Sequence, residues 1–348
     1  MPTHMRREID EIPEAVSRLL SGSGDALAEA GAALRARAPT VLATIARGSS
    51  DHAAHFLKYA VELTLGIPVA SLGPSLASVY GVTPRLAAGA ALTISQSGRS
   101  PDIVAMMQAA RDGGALTLCL ANTLPSPLSH TSDHAIDICA GPEQSVAATK
   151  SFVCSLVASL ALLAEWGEDA ELRAALHRLP EHLAAATRLD WPGLAEALEP
   201  ARSLYVLGRG PTAAIAHEAA LKFKETCGLH AEAYSTAEVL HGPVEIVGPG
   251  VPVLAFAVAD AAESGIAATV DGLTQKGTGT FLTARSSSPT AGPSTGVATR
   301  LPRIETGHPL LDAAAAIVPF YAFVEAFARQ RGRNPDAPQS LRKVTETR

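Results

Sequence analysis

Residues 90–101, AALTISQSGRSP, decide the fold: the apolar run Ala91 to Ser95 breaks at a turn of hydroxyls and glycine, then restarts after Ser100-Pro101 with helical spacing from Ile103 to Arg111. A short apolar run bounded by turn residues reads as a buried strand, and Ser-Pro ahead of an amphipathic run reads as a helix start. Upstream the pattern occurs once more. Val41 to Ala46 leads into Arg47-Gly48-Ser49-Ser50, and a helix beginning near Asp51 stops before Gly66 and Pro68. Downstream, Leu116 to Leu120 and Ala135 to Cys139 continue the alternation. Strands alternating with helices predict an α/β fold, a parallel sheet covered by helices on both faces, with ligands at the carboxyl ends of the strands.

A shift of 162 residues lays the second half over the first: Arg47-Gly48 falls on Arg209-Gly210, His55 on His217, and the run ending at Ser95 on the run ending at Ala257. One constant offset across separate landmarks implies a duplicated domain. We therefore expect a first domain over 1–166 with an N-terminal helix, a helical connection over 167–199 broken at Pro180 and Pro192, a second domain over 200–330, and a polar tail over 331–348. By itself the tail reads as frayed, and residues 286–298 read as a Ser, Pro and Gly-rich loop.

Composition narrows the function classes. The 348 residues are 47% hydrophobic and 18% charged, with a net charge of -6, the profile of a folded globular protein. Arginines are scattered without a basic stripe, so neither nucleic acid nor membrane is an expected partner. Cys119, Cys139, Cys154 and Cys227 show no metal-ligand or CxxC spacing, which fits a reducing compartment. The N-terminus has no signal-like apolar region, and the longest apolar stretch, Phe152 to Ala164, is too short to span a bilayer and reads as a core helix. A cytoplasmic location is expected.

The turn Ser95-Gln96-Ser97-Gly98-Arg99-Ser100 offers hydroxyls, an amide and backbone N–H groups at a helix start, a donor set suited to phosphate. Read locally, Ser100 is equally well a plain N-cap with Pro101 at N1. Ser49 and Ser50 open the preceding helix in the same manner. In the second half the equivalent loop, Ala257 to Ala262, lacks hydroxyls and carries Asp260, so one phosphate site per chain is expected. Glu218, Lys222 and Glu225, spaced i, i+4 and i+7, project from one face of a single helix. Spacing alone also fits an exposed, salt-bridged face.

SQSGRS following RGSS resembles the phosphosugar loops of the sugar isomerase (SIS) family. Residues 140–152, AGPEQSVAATKSF, together with Leu207-Gly208-Arg209-Gly210, the stretch from His217 to Glu225, and His230 to Tyr234 through His241-Gly242-Pro243, resemble the isomerase half of glutamine–fructose-6-phosphate aminotransferases (glucosamine-6-phosphate synthases). The likeness runs from about Met5 to the C-terminus and implies two tandem SIS domains, each a parallel sheet flanked by helices in a flavodoxin-like three-layer sandwich. It places Ser49, Ser50, Ser95, Gln96, Ser97, Ser100, Val146 and Ala147 as substrate-binding residues. It places Glu225 as the carboxylate that moves a proton between C1 and C2 of the open-chain sugar, with Glu218 and Lys222 beside it, and His241 as the group assisting ring opening. Lys343, in Leu341-Arg342-Lys343-Val344-Thr345, resembles the tail lysine that forms an imine with the ketose, here with one following residue missing. Ala148 stands where that family has a serine.

No glutaminase-like segment with an early cysteine nucleophile occurs in the sequence, so the expected reaction runs toward ammonia release, as in SIS-type glucosamine-6-phosphate deaminases. The ending, Asn334-Pro335-Asp336 through Thr347, is also similar to relatives that deglycate fructosyl-amino acid phosphates. Three readings stay open: the deaminase, an SIS enzyme of another specificity (a galactosamine-6-phosphate deaminase/isomerase or a deglycase), and a non-catalytic phosphosugar sensor. No HxxEH, CxxC or aspartate cluster appears, so neither metal nor organic cofactor is expected. The resemblance further implies a homodimer with a shared active site, the histidine matching His241 coming from the neighbouring protomer.

Overall fold

The computed structural model of the chain describes residues 2–285 and 296–343. Most of the predicted loop at 286–298, and the tail from Val344 onward, lie outside the described residues. Contacts divide the chain into two units, neither of them a single run of sequence. The amino unit is Glu11–Glu143, Lys150–Pro180 and Arg342–Arg348; the carboxy unit is Met1–Asp10, Gln144–Thr149 and Glu181–Leu341.

In chain order the elements are α1 His4–Asp10, α2 Ile12–Gly22, α3 Gly24–Arg37, β1 Leu42–Ile45, α4 Ser49–Leu65, β2 Val69–Ser71, α5 Ser75–Ser78, β3 Ala90–Ser95, α6 Pro101–Asp112, β4 Leu116–Ala121, α7 Pro127–His130, β5 His134–Asp137 and α8 Lys150–Trp166. They continue with α9 Ala170–Ala186, α10 Leu194–Leu198, β6 Ser203–Gly208, α11 Pro211–Lys222, β7 His230–Ser235, β8 Val253–Ala255, α12 Glu263–Thr274, β9 Thr280–Arg285, β10 Thr299–Arg303 and α13 Pro309–Gln330.

Each unit holds a five-stranded parallel sheet, ordered β2-β1-β3-β4-β5 in one and β7-β6-β8-β9-β10 in the other. The order is the same in both, and the register of the first strand on its two neighbours repeats as well. Ala43 lies opposite Ala91, and 162 residues later Tyr205 lies opposite Val253. All six residues of β3 are buried, as befits a strand covered on both faces. At the turn after the first strand of each sheet, Gly48 (φ 54°, ψ -133°) and Gly210 (φ 60°, ψ -135°) share a backbone conformation that side chains disfavour. The expected α/β fold of two tandem repeats is therefore what the chain adopts.

Three local expectations need correction. The break expected at Pro180 is absent, because α9 runs through that residue. As expected, Phe152 to Ala164 is a buried core helix within α8, packed among α2, α3 and α4; among the described residues the 22-residue α13 is a longer, also largely apolar, helix. By length and composition α13 could cross a membrane, yet 83% of its most apolar window is buried, so it is a core helix. Helix α1 groups with the carboxy unit and not with the first repeat. It packs on α13, and its first N–H groups are capped by Asp336, whose two carboxylate oxygens each accept one, from His4 and Met5, at 2.8 Å. That contact also means that the tail is anchored at Asp336 instead of frayed.

Candidate functional site

In a sheet ordered β2-β1-β3-β4-β5 the chain turns in opposite directions after β1 and β3, and the crevice at their carboxyl ends is where ligands bind. In the amino unit those ends carry the Arg47–Ser50 turn after β1 and the Ser95–Ser100 loop after β3. Ser95 Oγ accepts the Gly98 N–H at 3.1 Å, and Ser97 Oγ accepts the Arg99 N–H at 3.3 Å. A hydroxyl whose oxygen serves a backbone N–H keeps its own proton to donate. Gly98 has φ 62° and is packed so closely that a Cβ there would come within 2.4 Å of Ser126 Oγ. Ser100 sits extended at the N-cap of α6 with Pro101 behind it, yet its side chain makes no capping bond. The plain N-cap reading therefore fails to account for that hydroxyl. Gln96 is half-buried on the same loop, and Ser49 and Ser50 form the half-buried first turn of α4.

The equivalent loop of the carboxy unit is closed off by its own side chains. Asp260 accepts the Ala262 N–H at 2.8 Å just before α12, so a built-in carboxylate already serves a donor at this helix start. Arg303, 3% exposed, donates to the Ala257 carbonyl at 2.9 Å and pairs with Glu263 at 2.7 Å.

The carboxy unit concentrates its charge elsewhere. Helix α11 ends at Lys222 and widens into a π-helical turn over Phe223–Cys227, so Glu218, Lys222 and Glu225 do not share one uniform α-helix as the spacing predicts. They nevertheless meet. The Lys222 ammonium lies 3.3 Å from Glu218 and 2.5 Å from Glu225. The exposed-face reading is overturned, since the side chains of Lys222 and Glu218 are 1% and 0% exposed, while Glu225 retains 20%. Burial opposes the lysine's charge, but the two carboxylates outweigh it and raise its pKa above the ordinary value. Tyr321, buried on α13, donates to Glu218 at 3.1 Å. π-turns of this kind recur at functional sites because the extra residue re-aims a side chain.

His241 ends a 3-10 turn over Glu238–His241 and is exposed; among the described residues it makes no hydrogen bond or ion pair with that cluster. Val146 and Ala147 lie in the segment 144–149 of the carboxy unit. That segment is fixed by Glu8, which accepts the N–H groups of Gln144 and Ser145, and by the Asp336 carbonyl, which accepts the Val146 N–H at 3.0 Å. In the amino unit, Lys343 pairs with the buried Glu143 at 2.9 Å, and Glu143 also accepts the Ser151 hydroxyl at 2.7 Å. An ammonium held on a carboxylate is no nucleophile, so imine chemistry at Lys343 would require this pair to open and a proton to leave.

The cysteines are free thiols, and burial pushes those of Cys119 and Cys154 up and that of Cys227 up to about 11, which makes them poor nucleophiles. Among the described residues no group of three or more His, Cys, Asp or Glu side chains is placed to hold a metal ion. Sequence reasoning gave no role to Asp102, Glu143, Tyr321 or Asp336. Asp102, two residues beyond Ser100, carried the one usable local signal, an acid in the first turn of a helix beside an anion-binding loop.

The sequence pattern of the SIS domain matches residues 39–165 and again 197–328. The glutamine–fructose-6-phosphate aminotransferase (isomerizing) of Symbiobacterium thermophilum is 33% identical over 370 residues, covering 97% of this chain. The chain spans 58% of that relative's length and 57% of the corresponding enzyme of Pyrobaculum aerophilum. Among solved structures, a protein provisionally named phosphosugar isomerase from Silicibacter pomeroyi DSS-3 is 55% identical, with a TM-score of 0.91 over 96% of this chain and 100% of that one. The glucosamine-6-phosphate deaminase of Thermotoga maritima, 19% identical, shares the fold with a TM-score of 0.77 over 99% of this chain and 100% of its own. With both repeats matched and both sheets built alike, the chain belongs to the SIS domain family.

Proposed function

We propose that this protein is a hexosamine-6-phosphate deaminase/isomerase that converts glucosamine 6-phosphate and water to fructose 6-phosphate and ammonia. The observation that carries the reading is the partly exposed Glu225 carboxylate held by a buried lysine, in a chain whose first repeat keeps a phosphate-type loop. Ser95, Ser97 and Ser100 hold the 6-phosphate. After the ring opens, Glu225 takes the C2 proton and returns it to C1 while a proton passes from the amine nitrogen to the C1 oxygen, converting the amino aldehyde into a C1 alcohol with a C2 imine. Water adds to the imine, the C2–N bond breaks, and ammonia leaves with the ketose behind. Lys222 holds Glu225 in place, and Glu218 with Tyr321 holds Lys222. No step requires an external oxidant or reductant. The relatives named above, aminotransferases and a phosphosugar isomerase, support this class of chemistry.

The functional unit in this reading is a homodimer in which His241 of the partner subunit assists ring opening, supported by the exposure of His241 between the exposed side chains of Leu240 (55%) and Ile246 (60%). Ala148, where the aminotransferases have a serine, favours a second reading in which the same chemistry serves another amine, a galactosamine phosphate or a fructosyl-amine phosphate. The deciding experiment measures ammonia or amine release across a panel of these phosphates. Release from glucosamine 6-phosphate with the highest kcat/KM supports the first reading. A higher value for another panel member selects the second, and no release from any member overturns both.

A further inference from the structure

Arg47 stands in the turn after β1, and its guanidinium donates through Nε (2.9 Å) and Nη2 (2.7 Å) to a single oxygen of Asp102. The pair is lopsided: the Asp102 side chain is 0% exposed and that of Arg47 is 50% exposed. With both bonds on one edge, Nη1 makes no hydrogen bond among the described residues, and half the fork is left for a planar or tetrahedral anion. Asp102 is the second residue of α6, directly after Ser100 and Pro101. A buried carboxylate at that place works against an anion bound at the same helix start. A phosphate loop above it makes physical sense when a fixed cation accompanies the carboxylate.

The duplication supplies an internal control. Helices α6 and α12 start at Pro101 and Glu263, so the offset of 162 holds here and sets Asp102 on Ser264 and Arg47 on Arg209. The second repeat has lost the loop hydroxyls, and it has no carboxylate at Ser264. The carboxylate that aims the arginine is therefore present in the repeat with a hydroxyl-rich loop and absent from the repeat whose loop is closed by Asp260.

We propose that Arg47 contacts the substrate's phosphate and selects phosphorylated over free hexosamine, with Asp102 as the positioning residue that aims it. This rests on the phosphate reading of the Ser95–Ser100 loop. The test uses the full chain and two probes, inorganic phosphate and glucosamine 6-phosphate, with affinity read by calorimetry and independently of turnover. R47K keeps the charge and the fold but not the fork, and should weaken both probes by about fivefold or more. D102N keeps the arginine but loosens its aim, and should raise KM several-fold while kcat changes less than about threefold. R47Q removes the guanidinium that pairs with the buried Asp102 carboxylate and should lower the melting temperature. R47Q/D102N removes both charges and should recover the melting temperature without recovering affinity. Wild-type affinity of R47K for both probes, or recovery of affinity in the double variant, overturns the assignment and leaves a clip between two loops. If the wild-type protein binds neither probe, the phosphate-loop reading falls and this inference with it. If it binds both but turns over no panel sugar, both catalytic readings fail while the phosphate-loop reading stands.

Discussion

The ammonium of Lys222 sits 2.5 Å from a Glu225 oxygen, with the lysine side chain 1% exposed and that of the glutamate 20%. The pair thus has a closed end and an open end. Behind it Glu218 and Tyr321 complete a buried polar chain, which fixes the lysine from within and leaves one carboxylate able to reach a substrate.

Glu225→Gln keeps the size of the side chain and removes the base. Activity on the best panel substrate should fall by about two to four orders of magnitude in kcat, with little change in affinity for inorganic phosphate. Mixed under subunit exchange with His241→Asn, itself inactive, it should regain about a quarter of wild-type activity if the two residues of one site come from different chains, because half the dimers are mixed and half of their sites are intact. With exchange verified and no activity regained, the shared site is refuted and the role of Glu225 is not.

Lys222→Met takes the ammonium away from the fully buried Glu218 carboxylate, which keeps the Tyr321 hydroxyl but loses this counter-charge. Losing one partner of a buried pair costs about 3–5 kcal/mol, which denaturant unfolding would read directly. Adding Glu218→Gln should restore a large part of the loss, since two neutral groups need no counter-charge. A single variant as stable as wild type would show that the pair is not the closed contact described here.

Ser100→Ala separates a capping serine from a ligand-binding one. The hydroxyl makes no cap bond, so stability should change by less than about 0.5 kcal/mol, against about 1 kcal/mol for loss of a working N-cap. A hydroxyl bonded to a charged oxygen is worth about 1.5–3 kcal/mol, so KM should rise about tenfold or more. The reverse pattern, with stability lost and KM unchanged, would assign Ser100 to the helix alone.

Glu11 sets an acid limit. Burial works to raise its carboxyl pKa, but hydrogen bonds from Lys150 (2.6 Å) and Arg18 (2.8 Å) outweigh burial and hold it below the ordinary range. A depressed folded pKa adds stability that is complete above the unfolded value of about 4.3 and is lost as pH falls through the folded one. Unfolding free energies measured from about pH 6 down to 3 should therefore decline less steeply for Glu11→Gln than for wild type. Equal slopes would remove Glu11 from the account. The Lys222 contribution has the opposite sense: present below the unfolded lysine pKa of about 10.4, it is lost as pH rises through the raised folded value.

What the sequence determined by itself is what repeats locally. Ala91 to Ser95, the turn after it and the helix from Pro101 carry strand, loop and helix in adjacent residues, and the offset of 162 repeats them down to the register of Ala43 on Ala91 and Tyr205 on Val253. The hydroxyls of the phosphate-type loop were legible for the same reason. The tertiary structure alone decided which charges meet. Tyr321 reaches Glu218 across 103 positions, Lys343 reaches Glu143 across 200, and Asp336 reaches His4 across 332. Such contacts leave no periodic trace, because each is set by how distant segments of the chain pack and not by spacing along one element. Even within a single helix, the widening at Phe223–Cys227 escaped the i, i+4, i+7 rule. That rule assumes an unbroken α-helical pitch, and the hydrogen bonds of the last turn, not the residue spacing, decide whether the pitch holds.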